Sequence, residues 1–119
     1  MTTSEIATVL AWHDALTEGD LDTLVTLSSD DIEVGDAHGA GQGHQALRQW
    51  AASVGITTGL GRTYVHHGVV VVELLPAGTG AIEAAAFRVV DDHVTSVFRH
   101  DDLDAALAAT ELTEADCVD

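Results

Sequence analysis

Asp36 is the side chain with the clearest chemical promise. It ends a short alternating stretch, Asp31-Ile32-Glu33-Val34-Gly35-Asp36, and stands before a glycine-rich run. A carboxylate in an apolar cavity has a raised pKa and can take a proton from carbon or water. The same residue could instead turn the loop through its own backbone. His13 falls near the middle of the apolar face of the first helical segment. There it is either a core imidazole bonded to backbone or carboxylate, or, if it projects into a pocket, a second acid–base group.

His38 and His44 flank the glycine run close to Asp36. Two histidines and an aspartate could bind a metal, but the spacing matches no standard site and a glycine loop holds ligands poorly, so no metal is expected. His38 is retained as a ligand-side candidate. His66 and His67 are neighbours on a strand, face opposite ways and cannot chelate together. Gly39, Gly41 and Gly43 are not a dinucleotide fingerprint, because no βαβ unit surrounds them. Cys117 is the single cysteine, which leaves no disulfide framework and no cysteine-based zinc site.

Positioning these groups falls to the following elements. Ile6, Val9, Leu10, Trp12 and Leu16 recur at helical spacing, predicting a helix over 4–18 that Thr3 or Ser4 can start and Gly19 can end. Asp20 caps a short second helix carrying Leu21, Leu24, Val25 and Leu27. Residues 31–36 read as a strand and 38–43 as a loop. A third helix runs from about His44 to Val54, with Ala46, Leu47, Trp50, Ala51 and Val54 on one face.

The second half is rich in β-branched residues. Arg62 to Leu75 reads as one long strand kinked at Gly68, Pro76 to Gly80 as a turn, and Ala81 to Val90 as a second long strand. Asp91-Asp92-His93 turns the chain into Val94 to His100, and a helix follows over 101–109 with aspartates near its N-terminal dipole. The polar tail after it is expected to be loosely held. Helices segregated before a run of antiparallel strands indicate a single α+β domain. Three helices cover one face of the sheet. The other face also carries valines, Val69 and Val71 against Val70 and Val72, so a partner subunit is the simplest cover and a homodimer is expected.

Composition narrows the function. The 119 residues hold four arginines, no lysine and 20 acids, for a formal charge of −16. One compact core is affordable at this length, not two. Nucleic acid and anionic membrane are excluded as partners, since both need cations to neutralise phosphate. The longest apolar stretch, Val69 to Leu75, is too short to span a bilayer. The N-terminus lacks the positive region of a signal peptide, so a cytoplasmic protein is the expectation.

Several segments together carry a resemblance: Ala15-Leu16-Thr17-Glu18-Gly19-Asp20-Leu21-Asp22-Thr23-Leu24, Ser29-Asp30-Asp31-Ile32-Glu33-Val34, Gly43-His44-Gln45-Ala46-Leu47-Arg48-Gln49-Trp50 and Phe87 to Val97. The chain resembles the nuclear transport factor 2-like superfamily, which includes ketosteroid isomerases, SnoaL-like polyketide cyclases, limonene epoxide hydrolases and scytalone dehydratases. The resemblance covers residues 1–110, leaving 111–119 as a tail. It implies a cystatin-like α+β barrel: a cone of bent antiparallel sheet wrapped around the N-terminal helices. A deep pocket opens at one end, and a dimer forms on the outer face.

Residue by residue, the resemblance matches Asp36 to the proton-shuttling aspartate of the isomerases. Trp12 stands where their hydroxyl donor is expected and Ala85 where their protonated acid is expected. Neither offers an O–H to an oxyanion, which argues against steroid isomerisation. The Asp-Arg-Asp set of the epoxide hydrolases has no arginine on its matching strand; Arg99 and Asp101 are a partial echo on the last one. If Ala85 points inward like its counterpart, Glu83 and Phe87 do so by alternation, and Val97, Arg99 and Glu73 join them by similar alignment. Glu73, Glu83 and Arg99 then form either a structural ion pair or an arginine-polarised carboxylate site. Trp50 matches a pocket-lining aromatic, and Trp12 and Trp50 as walls imply a small apolar, flat or cyclic ligand. The implied activity is that of an acid–base isomerase, cyclase or dehydratase working without a cofactor. The alternative is a non-catalytic ligand carrier or dimeric interaction module.

Overall fold

A computed structural model describes residues 2–36, 39–53, 57–76 and 82–117, with the side chains of 2–4, 36, 53, 57–59 and 76 outside that description. The chain runs α1 (Thr2–Glu18), α2 (Leu21–Thr26), β1 (Ser28–Asp36), β2 (Gly39–Gln42), α3 (His44–Ser53), β3 (Thr57–His66), β4 (Val69–Pro76), β5 (Glu83–Val90), β6 (His93–His100) and α4 (Leu103–Thr110), then a 3₁₀ turn over Glu114–Asp116. Six strands form one sheet in the order β2-β1-β6-β5-β4-β3. Bulges between Ser28 and Glu33, Leu60 and Thr63, and Arg88 and Val89 bend it, because an unpaired residue kinks and over-twists its strand. The domain is α+β with a curved, open sheet.

Helix α1 turns Val9, Trp12, His13 and Ala15 into the core, while Leu10 is exposed. Leu10 follows Val9 by about 100° around the axis, which carries it off the face where the spacing had placed it. Gly19 adopts φ 73° and ends α1, the Asp20 N–H reaching back to the Ala15 carbonyl at 2.9 Å. Asp20 then caps α2, its carboxylate accepting from the Thr23 hydroxyl at 2.7 Å and the Thr23 N–H at 3.2 Å. Those two bonds hold its carboxyl below the ordinary range.

The structure corrects several expectations. The sheet is mixed, since β1 runs parallel to β6 while every other described pairing is antiparallel. The single long strand expected over Arg62–Leu75 is a hairpin, β3 and β4, that reverses at His67 (φ 48°) and Gly68 (φ 81°). Positive φ at both central residues gives the twist that two-residue hairpins favour. The glycine run contains β2, which pairs with β1 through Gly41–Val34 and Ala40–Gly35. The tail is docked: Leu112 is buried, Thr113 and Asp116 form a capping box, and Cys117 bridges to Tyr64.

Two cores lie on the two faces of the sheet. The larger gathers Val9, Trp12, Leu24 and Leu47 from α1–α3 against Val70, Val72, Ala85, Phe87, Val94 and Val97. The smaller holds Tyr64, Val71, Ala84 and Ala86 under Ala106 and Leu112. Part of the second valine face is therefore covered by the chain's own α4 and tail. Of the outer face that remains, Ala86, Arg88, Ser96 and Phe98 line a groove of about 590 Å³ alongside Ala105 and Ala109.

Candidate functional site

The inner face of the sheet, where α1 crosses β5 and β6 and Trp50 reaches in from α3 on β1 and β2, gathers most of the side chains singled out from the sequence. Trp12 is fully buried at its centre. The Phe87 ring meets it edge-on at 5.4 Å between centroids, and the Trp50 ring meets it at 5.9 Å. Tilted and edge-to-face pairs bring a positive ring edge to a negative ring face. Ala85, Phe87 and Val97 are all buried in this same cluster. The parity that sends Ala85 inward is thus the parity of the core, set by Val72 and Leu74 on β4.

The Trp12 indole N–H donates to Ser28 Oγ at 2.9 Å, and the Ser28 hydroxyl donates onward to the Leu24 carbonyl at 2.7 Å. The indole thereby spends its only donor inside the protein and has none left for an oxyanion. Ser28 carried no sequence signal for this role, because it lies 16 positions from its partner.

His13 is 6% exposed. Burial pushes its imidazole below the ordinary pKa, Asp14 pulls it partly back up, and the charge on Arg99 lowers it again. A desolvated imidazole near a cation stays neutral at pH 7, when one ring nitrogen donates and the other accepts. Arg99 pairs across the sheet with Ala85, which puts its side chain on the inner face at 13% exposure. Its guanidinium lies 5.9 Å from the centroid of the Trp50 ring, within the range of a cation–π contact. Glu83, half-exposed at the start of β5, approaches Arg99 with Oε1 3.6 Å from Nη1.

Glu73 does not join them. It shares the alternation of Val71 and pairs with Ala84, which places it on the outer face. There its Oε1 accepts the Arg62 N–H at 2.9 Å, and Gly61 leaves it room, since a Cβ at that position would come within 2.9 Å of Oε1. A run of four valines before it gave the alternation no polar marker, so the alignment assigned the wrong face.

Asp36 ends β1, and its backbone pairs with Gly39. Gly35 pairs with Phe98 across the parallel β1–β6 ladder, the last described pair before Asp36 on β1 and Arg99 on β6. The Asp36 side chain and all of His38 lie outside the described residues. His44 is held by the Ser29 carbonyl at 3.0 Å. Among the described residues no cluster of His, Cys, Asp and Glu could hold a metal ion, and no helix is long and apolar enough to cross a membrane. His66 pairs with Asp116 at 3.3 Å on the outer face, and His67 sits in the hairpin turn with its ring against that of His66.

No protein-family model and no curated protein matches the sequence. Solved structures do. An LEH-like epoxide hydrolase from M. tuberculosis superposes with TM-score 0.68 at 22% identity, over 92% of this chain and 96% of that one. A provisional polyketide cyclase from Xanthomonas campestris pv. campestris gives 0.68 at 19%, over 89% and 96%. A nuclear transport factor 2-like protein of unknown function from Cytophaga hutchinsonii gives 0.70 at 11%, over 82% and 89%. At such identities the likeness is one of fold, and fold does not fix chemistry.

Proposed function

We propose that this chain, which has the nuclear transport factor 2-like fold, takes a small cyclic ligand at its inner face and performs acid–base isomerisation, cyclisation or dehydration on it. The observation that carries the reading is a buried imidazole (His13) within electrostatic reach of a largely buried guanidinium (Arg99) that rests on the Trp50 ring, itself stacked with Trp12 and, through it, Phe87. Apolar walls with a few convergent polar groups are what a small-molecule site requires. In this reading Asp36, at the end of β1 next to the Gly35–Phe98 pair, is the base that removes a proton next to a ligand carbonyl. Arg99 stabilises the charge that develops on the carbonyl oxygen. His13 holds or returns a proton, and Trp12, Trp50, Phe87, Ala85 and Val97 are the apolar side chains beside which the ligand is taken. Ala85 and the committed indole of Trp12 argue against steroid isomerisation, since neither supplies an O–H donor.

Exchange of the α-protons of cyclohexanone in D₂O, followed by proton NMR, tests this directly. The wild-type chain should accelerate exchange above buffer, and Asp36→Asn should remove most of that gain, about 10²-fold or more for a lost general base. If exchange stays at the buffer rate while cyclohexanone still perturbs the tryptophan fluorescence, the protein binds without catalysing, and the ligand-carrier reading replaces this one.

The homodimer is proposed on the groove beside α4, where Phe98 presents its half-buried ring on the outer face. Two chains of charge −16 repel, so association through this face should strengthen with salt. Light scattering from 0.05 to 0.5 M NaCl checks it: a monomer at every salt concentration refutes the dimer.

A further inference from the structure

Residues 112–117 hold a shape of their own. The Thr113 N–H donates to Asp116 Oδ2 at 2.9 Å, the Ala115 N–H to Thr113 Oγ1 at 3.3 Å, and the Cys117 N–H to the Glu114 carbonyl at 3.2 Å. All three bonds lie inside the segment, so it moves as one piece. It is docked by Leu112, buried among Tyr64, Val71, Ala84 and Ala86, by Asp116 Oδ1, 3.3 Å from His66 Nδ1, and by the bridge from Cys117 to Tyr64. The His66 side chain is 53% exposed, and a pair this wet holds weakly. Strand β3 is the last of the sheet. Among the described residues, that one bridge is the only strand pairing on its free side, and a free strand edge is a template for another chain.

Glu111 joins the piece to α4. It caps that helix at φ 62°, ψ 24°, a left-handed conformation that a side chain disfavours and that glycine usually fills at a helix end. A short hinge under strain is the setting in which an element leaves its own chain and docks on another.

We propose that residues 112–117 are an exchangeable strap: the hinge at Glu111 opens, and the strap docks on the β3 edge of a second copy through the contacts it makes on its own. No new complementarity is needed, because His66, Tyr64 and the seat of Leu112 are the same in every copy. The bonds inside the strap survive the transfer, and the strain at Glu111 is relieved by it. Opposing it are the hinge bonds to the Leu107 carbonyl, one from the Glu111 N–H and one from the Leu112 N–H at 3.1 Å. The charge of −16 on each chain also opposes it, so exchange belongs to high salt and high concentration.

Cys117, the single thiol, reports where the strap is, because it lies half-buried at the bridge. Glu111→Pro denies the hinge its positive φ, and Glu111→Gly removes the strain. Each chain is incubated at millimolar concentration and high salt, sized by light scattering, diluted, and labelled with Ellman's reagent against a urea-unfolded reference. Glu111→Pro should give a dimer that outlasts dilution and labels as slowly as wild type. Glu111→Gly should suppress that dimer and label roughly two- to fivefold more slowly than wild type. Both are repeated in a Phe98→Ala background, since the homodimer of the α4 groove needs that ring and the exchange does not. A dimer lost with the ring belongs to the groove and overturns the exchange. So does a Glu111→Pro chain that stays monomeric, or a dimer whose Cys117 labels like the unfolded chain. Should Glu111→Pro fail to fold, Glu111→Val carries the test, because a β-branched residue is a poor occupant of positive φ. Labelling of Glu111→Gly as fast as wild type overturns the strained hinge.

Discussion

Gly35→Ala should disturb this protein more than any other single added methyl group on β1. A Cβ at position 35 would come within 2.8 Å of the Gly39 carbonyl oxygen, 2.8 Å of Phe98 Cε1 and 2.9 Å of Ala40 Cβ. Optimal carbon contacts lie at about 3.5–4.0 Å, so three neighbours must each retreat by roughly half an ångström or more. Two of them belong to β2, which is laddered to β1 at this very point. The Phe98 ring is the one group free to move, and the residue after it is Arg99. Overpacking of this kind costs about 2–3 kcal/mol, which for a chain of this length lowers the melting temperature by about 6–12 °C. Thermal unfolding followed by circular dichroism measures it, in the wild type and in a Phe98→Ala background. If the ring carries part of the clash, the alanine at 35 costs roughly 1 kcal/mol less where the ring is absent. A melting temperature within about 2 °C of wild type refutes the close approach. An equal cost in both backgrounds assigns the strain to β2 and refutes the link to Phe98.

Two further outcomes follow from the inner face. Ser28→Ala should destabilise by about 1–3 kcal/mol in urea unfolding, because it leaves the buried Trp12 N–H without an acceptor; a loss well below 1 kcal/mol means the indole finds another. His13 has a folded pKa below its unfolded value, so protons bind the unfolded chain better. Stability should therefore be full above about pH 6.5 and fall as the pH drops from there towards the folded pKa, levelling off below it. His13→Gln should flatten that segment of a urea-midpoint profile, and a wild-type slope retained by the variant would place the titrating group elsewhere.

The helical half was legible because its signals are local. Gly19 and Asp20 sit where a helix must stop and the next must start, and both act as their chemistry predicts. The α+β class followed from the order of helices and strands. The site was legible in part. Alternation from Ala85 put Phe87 and Glu83 on the right face, and Arg99 does meet Glu83. It failed at Glu73, where four valines hide which face is which. The hairpin at His67-Gly68 was missed because no Asn-Gly or Asp-Gly marks it, whereas Asp91 and Asp92, at φ 51° and 63°, announce the same geometry openly. Strand β2 (Gly-Ala-Gly-Gln) has no β-forming residue and exists only through its ladder to β1. The docked tail does carry a local signal, Thr113 three residues before Asp116, the pattern of a capping box.

The parallel ladder between β1 and β6 sets the timetable of biogenesis. On the ribosome, β1 and β2 emerge long before β6, and until β6 arrives they have no neighbour on their inner edge. The sheet is joined only when the last strand inserts between β1 and β5. Long-range pairing of this kind is slow to find, and an edge left waiting is open to other chains. Nascent chains halted before Val94 should therefore depend on a holdase, and those released with β6 complete should not.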